Sequence, residues 1–193
     1  MRRVSPTPKS RRRRELRARR REIAAGRDTE ADGRSLAEGA LALVGPLGPG
    51  ATVLSYESVP GEPPTGPMNA ALVGAGVRVL VPDTLDDLDL DWHDVTDPAA
   101  VRLGLDAVAL ADLVLSPGLA VDRTGTRLGQ GGGCYDKALP RRRAGVRVVT
   151  LLHPGELVPD GEEPLPRESF DQPVDAVLTA DGLTDLRPPS DKN

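Results

Sequence analysis

Aromatic side chains make up only 2% of the 193 residues, as one Trp, two Tyr and one Phe. A core so poor in rings must be assembled from Leu, Val and Ala, and each ring that is present becomes conspicuous. The single cysteine, Cys134, excludes an internal disulfide and suits a reducing compartment. The two histidines, His93 and His153, lie far apart and lack partners at zinc-ligand spacing. No apolar run reaches bilayer-spanning length; the longest candidates, such as VRVVTLL, have the length of strands. The opening MRRVS has the arginine pair of a twin-arginine signal, but charged residues continue to Arg21 where an apolar stretch would have to follow. The expected location is the cytoplasm.

What the chain does have is a series of short, largely apolar runs. ATVLSY (51–56), GVRVLVP (76–82), ADLVLSP (111–117), VRVVTLL (146–152) and DAVLT (175–179) read as strands. Helices are expected at Lys9–Ala25, Gly33–Val44, Met68–Ala75 and Cys134–Arg143. Apolar strands with helical segments between several of them predict a mostly parallel (mixed) sheet covered on both faces, a three-layer αβα sandwich of Rossmann-like type. One domain spanning 1–193 is expected, with about 1–7 and 187–193 disordered. Net charge is −4 but unevenly spread, strongly basic over Arg2–Arg21 and strongly acidic over Asp83–Asp112. The acidic DDLDLDWHD fails as a calcium loop, because Trp92 and Pro98 fall where Gly and Glu are required, and it reads as a solvated connector.

The densest signal is RTGTRLGQGGGCYDKALP, Arg123–Pro140, with four glycines in the five positions Gly129–Gly133. A backbone without Cβ atoms lets several N–H groups approach a polyanion, and a helix opening behind it adds a positive dipole end. No Gly-Lys-Ser/Thr closes the loop and its G-x-G-x-G lacks the final dinucleotide spacing, so a phosphate cradle and a flexible surface turn both remain open. Asp136 is either a favourable charge in the first helical turn or a magnesium ligand beside phosphate oxygens. Arg127 and Lys137 flank the loop with positive charge.

RLGQGGGCYDKAL resembles the signature R-L-G-x-G-x-G-Y-Y-D of the 5-formyltetrahydrofolate cyclo-ligases, or methenyltetrahydrofolate synthetases. SPGLAVDRTGTRLG is similar to that family's lead-in, KSRRRREL to its N-terminal K-x-x-x-R, VPGEPPT to the turn after its first strand, and LPRESFDQPVDAVLT to its closing segment. The resemblance runs over nearly the whole chain and implies a ligase that forms a C–N bond. In that reaction ATP phosphorylates the formyl oxygen of 5-formyltetrahydrofolate, the neighbouring amine nitrogen attacks, and 5,10-methenyltetrahydrofolate, ADP and phosphate are released, with Mg²⁺ required.

By the same resemblance Lys9 and Arg13 contact ATP from the N-terminal helix. Arg127, Leu128, Gly129, Gln130, Gly131, Gly132, Gly133, Cys134 and Tyr135 form the nucleotide loop, with Gln130–Cys134 also facing folate. Glu62 holds the pterin's amino and ring N–H groups, Asp136 and Asp171 bind magnesium, and Lys9, Arg127 and Asp136 are the implied catalytic residues. Taken on their own residues alone, Lys9 and Arg13 are solvated helix charges, Glu62 an exposed turn residue and Asp171 a loop acid. That Lys9 is one of only three lysines, with Lys137 and Lys192, in an arginine-rich chain favours a compact point charge there.

Cys134 stands where the signature has its first tyrosine, which removes a ring from the folate-facing segment. Tyr135, Tyr56 and Trp92 are the rings left to lie against a pterin; Trp92 is preferred, with a structural role as its alternative. Two rival readings follow. One is a diverged relative that binds folate or salvages another formyl compound. The other is a nucleic-acid binder using Arg2–Arg21, which the net acidity and the lack of a stacking ring beside the arm oppose. The expected partners are small molecules, 5-formyltetrahydrofolate and ATP, with neither nucleic acid nor membrane, and the expected state is a monomer. The thin apolar face of the first helix further predicts that it orders in part on binding ATP.

Overall fold

A computed structural model describes residues 7–186; the stretches 1–6 and 187–193, expected to be disordered, lie outside the described residues. The five expected strands are present as β1 (Thr52–Leu54), β2 (Arg78–Thr84), β4 (Leu113–Pro117), β7 (Arg147–Leu151) and β8 (Ala176–Thr179), all parallel. Two more strands close the edges in antiparallel register: β3 (Leu90–Asp94) beside β2 and β9 (Gly182–Asp185) beside β8. The order across the sheet is β3-β2-β1-β4-β7-β8-β9. A separate hairpin, β5 (Ala120–Val121) with β6 (Arg127–Leu128), rises between β4 and the glycine loop. The architecture is the expected mixed, mostly parallel α/β sheet.

β3 corrects the solvated connector expected for DDLDLDWHD. Leu90 and Trp92 alternate into the core while Asp91 and His93 are only half-buried. That alternation lasts five residues and is hidden by its acids.

Helix α2 (Thr29–Val44) begins earlier than expected because Asp28 caps it, its carboxylate accepting from the Glu30 and Ala31 N–H groups at 3.1 Å each. With α3 (Gly66–Gly74), which has Pro67 in its first turn, it covers one face of the sheet. Leu36, Ala40, Val44, Met68 and Leu72 pack there on Val53, Val79, Leu115, Val149 and Leu178. Each large side chain so buried contributes about 1.5–3 kcal/mol relative to exposure. The approach is close: a Cβ on Gly39 would stand 2.6 Å from Leu178 Cδ1.

The other face is covered more thinly. Trp92, a 3₁₀ turn at Leu105–Leu110 and the short α4 (Cys134–Ala138) pack on Leu54, Leu80, Val114, Val148 and Val177. The helix expected to reach Arg143 gives way to a 3₁₀ turn at Leu139–Arg141, because Pro140 cannot continue the α-helical ladder. Helix α1 (Pro8–Ala25) inserts Leu16 into a small cluster with Leu119, Leu128, Val158 and Leu165. β1 and β4 are neighbours whose chains continue toward opposite edges of the sheet. Loops beyond the carboxyl ends of such a pair open a ligand crevice.

Candidate active site

Two cavities of about 490 Å³ each open at this end of the sheet. The glycine loop is their common wall, and Arg13, Gly131, Gly132, Gly133 and Asp136 line both. Gly131 and Gly133 have positive φ, 120° and 72°, a conformation that other residues rarely adopt. A Cβ on Gly131 would meet the Arg13 guanidinium carbon at 3.6 Å, an ordinary contact, so the backbone conformation and not the space calls for glycine there.

The first cavity lies between the loop and the turn after β1, and brings Tyr56, Glu62, Arg127, Cys134 and Tyr135 together. The turn is fixed by its own polar groups. Ser55 Oγ donates to Asn69 Oδ1 at 2.6 Å, and Asn69 Nδ2 donates to the Tyr56 carbonyl at 3.1 Å. The Ser58 and Thr65 N–H groups donate to each other's hydroxyls at 2.9 and 3.2 Å. His153, which is buried, reaches the Gly61 carbonyl through Nε2 at 3.1 Å, so it acts as a packed anchor for the turn. Glu62 is half-buried; among the described residues its carboxylate accepts one hydrogen bond, from the Val59 N–H at 3.3 Å, and its own N–H donates to the Val59 carbonyl at 3.0 Å.

Trp92 does not lie in the crevice. It is 1% exposed and meets Tyr135 edge-on, ring centroids 6.3 Å apart, so it supports the cavity floor from below. Tyr56 and Tyr135 are the rings that line the cavity. Burial, with the Glu62 carboxylate next, pushes the Tyr56 phenol well above its ordinary pKa. Burial likewise raises Tyr135 in spite of the Arg127 charge, whose guanidinium carbon stands 5.7 Å from the ring centroid.

The second cavity lies between the loop, the N-terminus of α1 and the segment Glu168–Asp171, and is lined by Lys9, Asp136, Lys137, Phe170 and Asp171. Lys9 Nζ donates to Glu168 Oε2 at 2.6 Å and to both Asp171 oxygens at 2.6 and 2.7 Å, under the Phe170 ring at 5.2 Å. Lys137 donates to the Asp87 carbonyl, which ties its amine to the acidic loop. Asp136 Oδ1 accepts from Arg127 Nη2 and from the Gln172 N–H, both at 3.0 Å, while its Oδ2 has no donor among the described residues. Asp136 lines both cavities, and a carboxylate oxygen without a donor suits a hard cation. Both Asp171 oxygens accept from Lys9, and Oδ2 also accepts from the Glu168 N–H at 2.7 Å. Leu128 faces neither cavity; its side chain is buried against Leu16.

Two features escaped the sequence reading. Arg13 Nε donates to the Gly129 carbonyl at 3.0 Å, and Arg17 grips Gln130 at both its side chain and its carbonyl, so α1 holds the loop by its backbone. Arg20 is buried, paired with Glu156 at 2.7 and 2.6 Å and bonded to the Gly118 carbonyl at 2.6 Å. A residue 136 positions away leaves no local signal for such a pair.

The model of the 5-formyltetrahydrofolate cyclo-ligase family matches residues 6–180. The chain belongs to that family. A 5-formyltetrahydrofolate cyclo-ligase of Mycolicibacterium smegmatis is 32% identical over 156 residues, covering 72% of this chain and 78% of the relative. The cyclo-ligase of Escherichia coli K12 is 33% identical over 144 residues, covering 66% and 77%. Among solved structures, a 5,10-methenyltetrahydrofolate synthetase from Mycoplasma pneumoniae superposes with a TM-score of 0.70 at 17% identity, covering 87% of this chain and 98% of that one. One from Aquifex aeolicus gives 0.65 at 23%, covering 94% and 96%, and both show the cyclo-ligase fold. This member is thus an enzyme of the cyclo-ligase class. Among the described residues no helix is long and apolar enough to cross a membrane.

Proposed function

We propose that this cyclo-ligase converts 5-formyltetrahydrofolate to 5,10-methenyltetrahydrofolate with ATP and Mg²⁺, folate in the first cavity and triphosphate in the second. The observation that carries this reading is the shared wall: one loop borders both cavities, and among the described residues its three glycines Gly131–Gly133, with Asp136 and Arg13 of α1, line both sides. A phosphoryl transfer needs its two substrates in line across a short gap, and needs charge neutralised there more than it needs an acid–base pair.

The formyl oxygen attacks the γ-phosphorus and ADP leaves. The neighbouring amine nitrogen then attacks the activated carbon and loses its proton, and phosphate departs with the former formyl oxygen. Arg127, fixed against Asp136 and the Pro117 carbonyl, presents its charge beside the transferred group. The loop N–H groups bind phosphate oxygens, and Lys9 exchanges Glu168 and Asp171 for them. Asp136 Oδ2, with Asp171 once released, would hold magnesium; that ion supplies charge neutralisation on the triphosphate when bound. Glu62 orients the pterin through its amino and ring N–H groups. We read the enzyme as a cytoplasmic monomer with small-molecule partners.

The test is the growth of methenyl-folate absorbance with purified protein, 5-formyltetrahydrofolate, ATP and Mg²⁺. Activity that requires ATP and drops about a hundredfold or more in Asp136→Ala is expected. A flat trace in folded wild type, restored by Cys134→Tyr, would instead identify a diverged relative that turns over another formyl compound.

A further inference from the structure

Two turns at this end of the sheet share a sequence, V-P-G-E at Val59–Glu62 after β1 and H-P-G-E at His153–Glu156 after β7. They fold alike. Gly61 and Gly155 have φ of 88° and 90°, and each follows a proline, the pattern of a type II turn. In each, the glutamate N–H donates to the carbonyl of the first residue, Glu62 to Val59 at 3.0 Å and Glu156 to His153 at 3.1 Å. Each glutamate carboxylate in return accepts the N–H of that first residue, at 3.3 and 2.8 Å.

The two turns differ in what their carboxylates meet. Glu156 is buried and closed off by two nitrogens of Arg20 from α1. Glu62 lines the first cavity and makes no ion pair among the described residues. Of the other carboxylates lining that cavity, Asp136 is bound by Arg127 and Glu57 is exposed. The second turn also holds the first. His153 Nε2 meets the Gly61 carbonyl at 3.1 Å, and since a carbonyl only accepts, that nitrogen carries the hydrogen. The planar Gly61–Glu62 peptide is thereby held on both sides, its carbonyl by His153 and its N–H by Val59. That plane sets the direction in which Glu62 leaves the backbone.

We propose that His153 is a positioning residue for Glu62. It fixes the carboxylate at the angle that receives the pterin amino and ring N–H groups, and the Arg20–Glu156 pair fixes His153 in turn. A two-pronged contact depends on angle, because a turn that swings loses one of its two bonds. This rests on the folate reading of the first cavity.

The test separates reach from polarity. His153→Gln keeps an N–H donor long enough to meet the Gly61 carbonyl, whereas His153→Asn carries the same amide on a shorter stem. Dissociation constants for 5-formyltetrahydrofolate and for Mg-ATP are measured by calorimetry on wild type, on both variants, on Glu62→Gln and on the double variant His153→Asn with Glu62→Gln. His153→Asn is expected to weaken 5-formyltetrahydrofolate about tenfold and Mg-ATP less than about twofold, one hydrogen bond being lost on one side only. His153→Gln should stay within about threefold of wild type for both ligands. In the Glu62→Gln background His153→Asn should add less than about twofold, because the carboxylate it positions is already gone. The melting temperatures of His153→Gln and His153→Asn should agree, since both bury an amide. A role in folding alone would weaken both ligands together and add its full effect to that of Glu62→Gln. Equal weakening of the two ligands, no recovery in His153→Gln, or the full loss on top of Glu62→Gln overturns the proposal. Wild type that binds no 5-formyltetrahydrofolate overturns the folate reading of the cavity; wild type that binds it as tightly as His153→Asn overturns the His153 assignment alone.

Discussion

Helices α1 and α2 are close in length, 18 and 16 residues, and are held in opposite ways. α2 buries Leu36, Ala40 and Val44 against the sheet, and its one buried charge, Asp32, pairs with Arg27 just before the helix. α1 buries one leucine and two cations, Lys9 and Arg20, and reaches the rest of the molecule through Arg13 and Arg17. The first arrangement secures a fold. The second secures a geometry, because ion pairs that must be desolvated add little net stability over apolar contacts yet tolerate little displacement. What α1 positions is the glycine loop, and the carboxylates that hold Lys9 occupy the site proposed for phosphate.

The sharpest way to break the contrast is Arg20→Ala, which leaves Glu156 buried without its partner. A loss of about 3–5 kcal/mol is expected by urea unfolding. The double substitution Arg20→Met with Glu156→Leu should recover most of that stability while activity stays low, since the Gly118 anchor is lost too. Leu36→Ala in α2 should cost about 3 kcal/mol by the same measurement, with turnover per folded molecule unchanged. Arg17→Ala inverts that pattern. It should leave stability within about 0.5 kcal/mol of wild type and raise the KM for ATP several-fold, because its contacts to Gln130 are exposed. Hydrogen exchange sharpens the comparison further. Mg-ATP should slow the amides of α1 and leave those of α2 as they were, and equal protection of α1 in both states would remove the expectation that it orders on binding.

The smallest effect lies outside both helices, where Arg141 binds Asp89 through two nitrogens at 2.7 and 2.6 Å. The Arg141 hydrogen bonds hold the Asp89 carboxyl below its ordinary pKa. A carboxylate lowered in this way contributes stability above the unfolded value of about 3.9 and loses it as pH falls through the folded value. Asp89→Asn should therefore cost about 1 kcal/mol at pH 7 and progressively less as pH falls below the unfolded value and through the lower folded one, measured by urea unfolding at each pH.

The parallel strands were readable because a strand buried on both faces is a bare apolar run, as in VLV of β2 or LVL of β4. The edge strands were not. β3 alternates among acids, and β9 exposes Gly182, Leu183 and Asp185, so its place comes from backbone pairing with β8. In the site, the glycine loop and Glu62 were legible as contiguous motifs, and the fold brings them to one cavity. Of the three rings expected near the pterin, the preferred Trp92 is a core residue because it falls on the inward parity of an edge strand, while Tyr56 and Tyr135 belong to the cavity lining. Contacts between distant segments, Arg20 with Glu156 and Lys9 with Asp171, required the three-dimensional structure.

A wall shared by two cavities has a consequence for equilibrium binding. Gly131 to Gly133 line both cavities, so any shift of the loop toward one ligand alters the surface offered to the other. Binding around the closed cycle of free enzyme, two binary complexes and one ternary complex must then show reciprocity: the factor by which nucleotide alters folate affinity equals the factor by which folate alters nucleotide affinity. On the proposed assignment of the two cavities, the glycines that let phosphate approach also make each substrate an effector of the other.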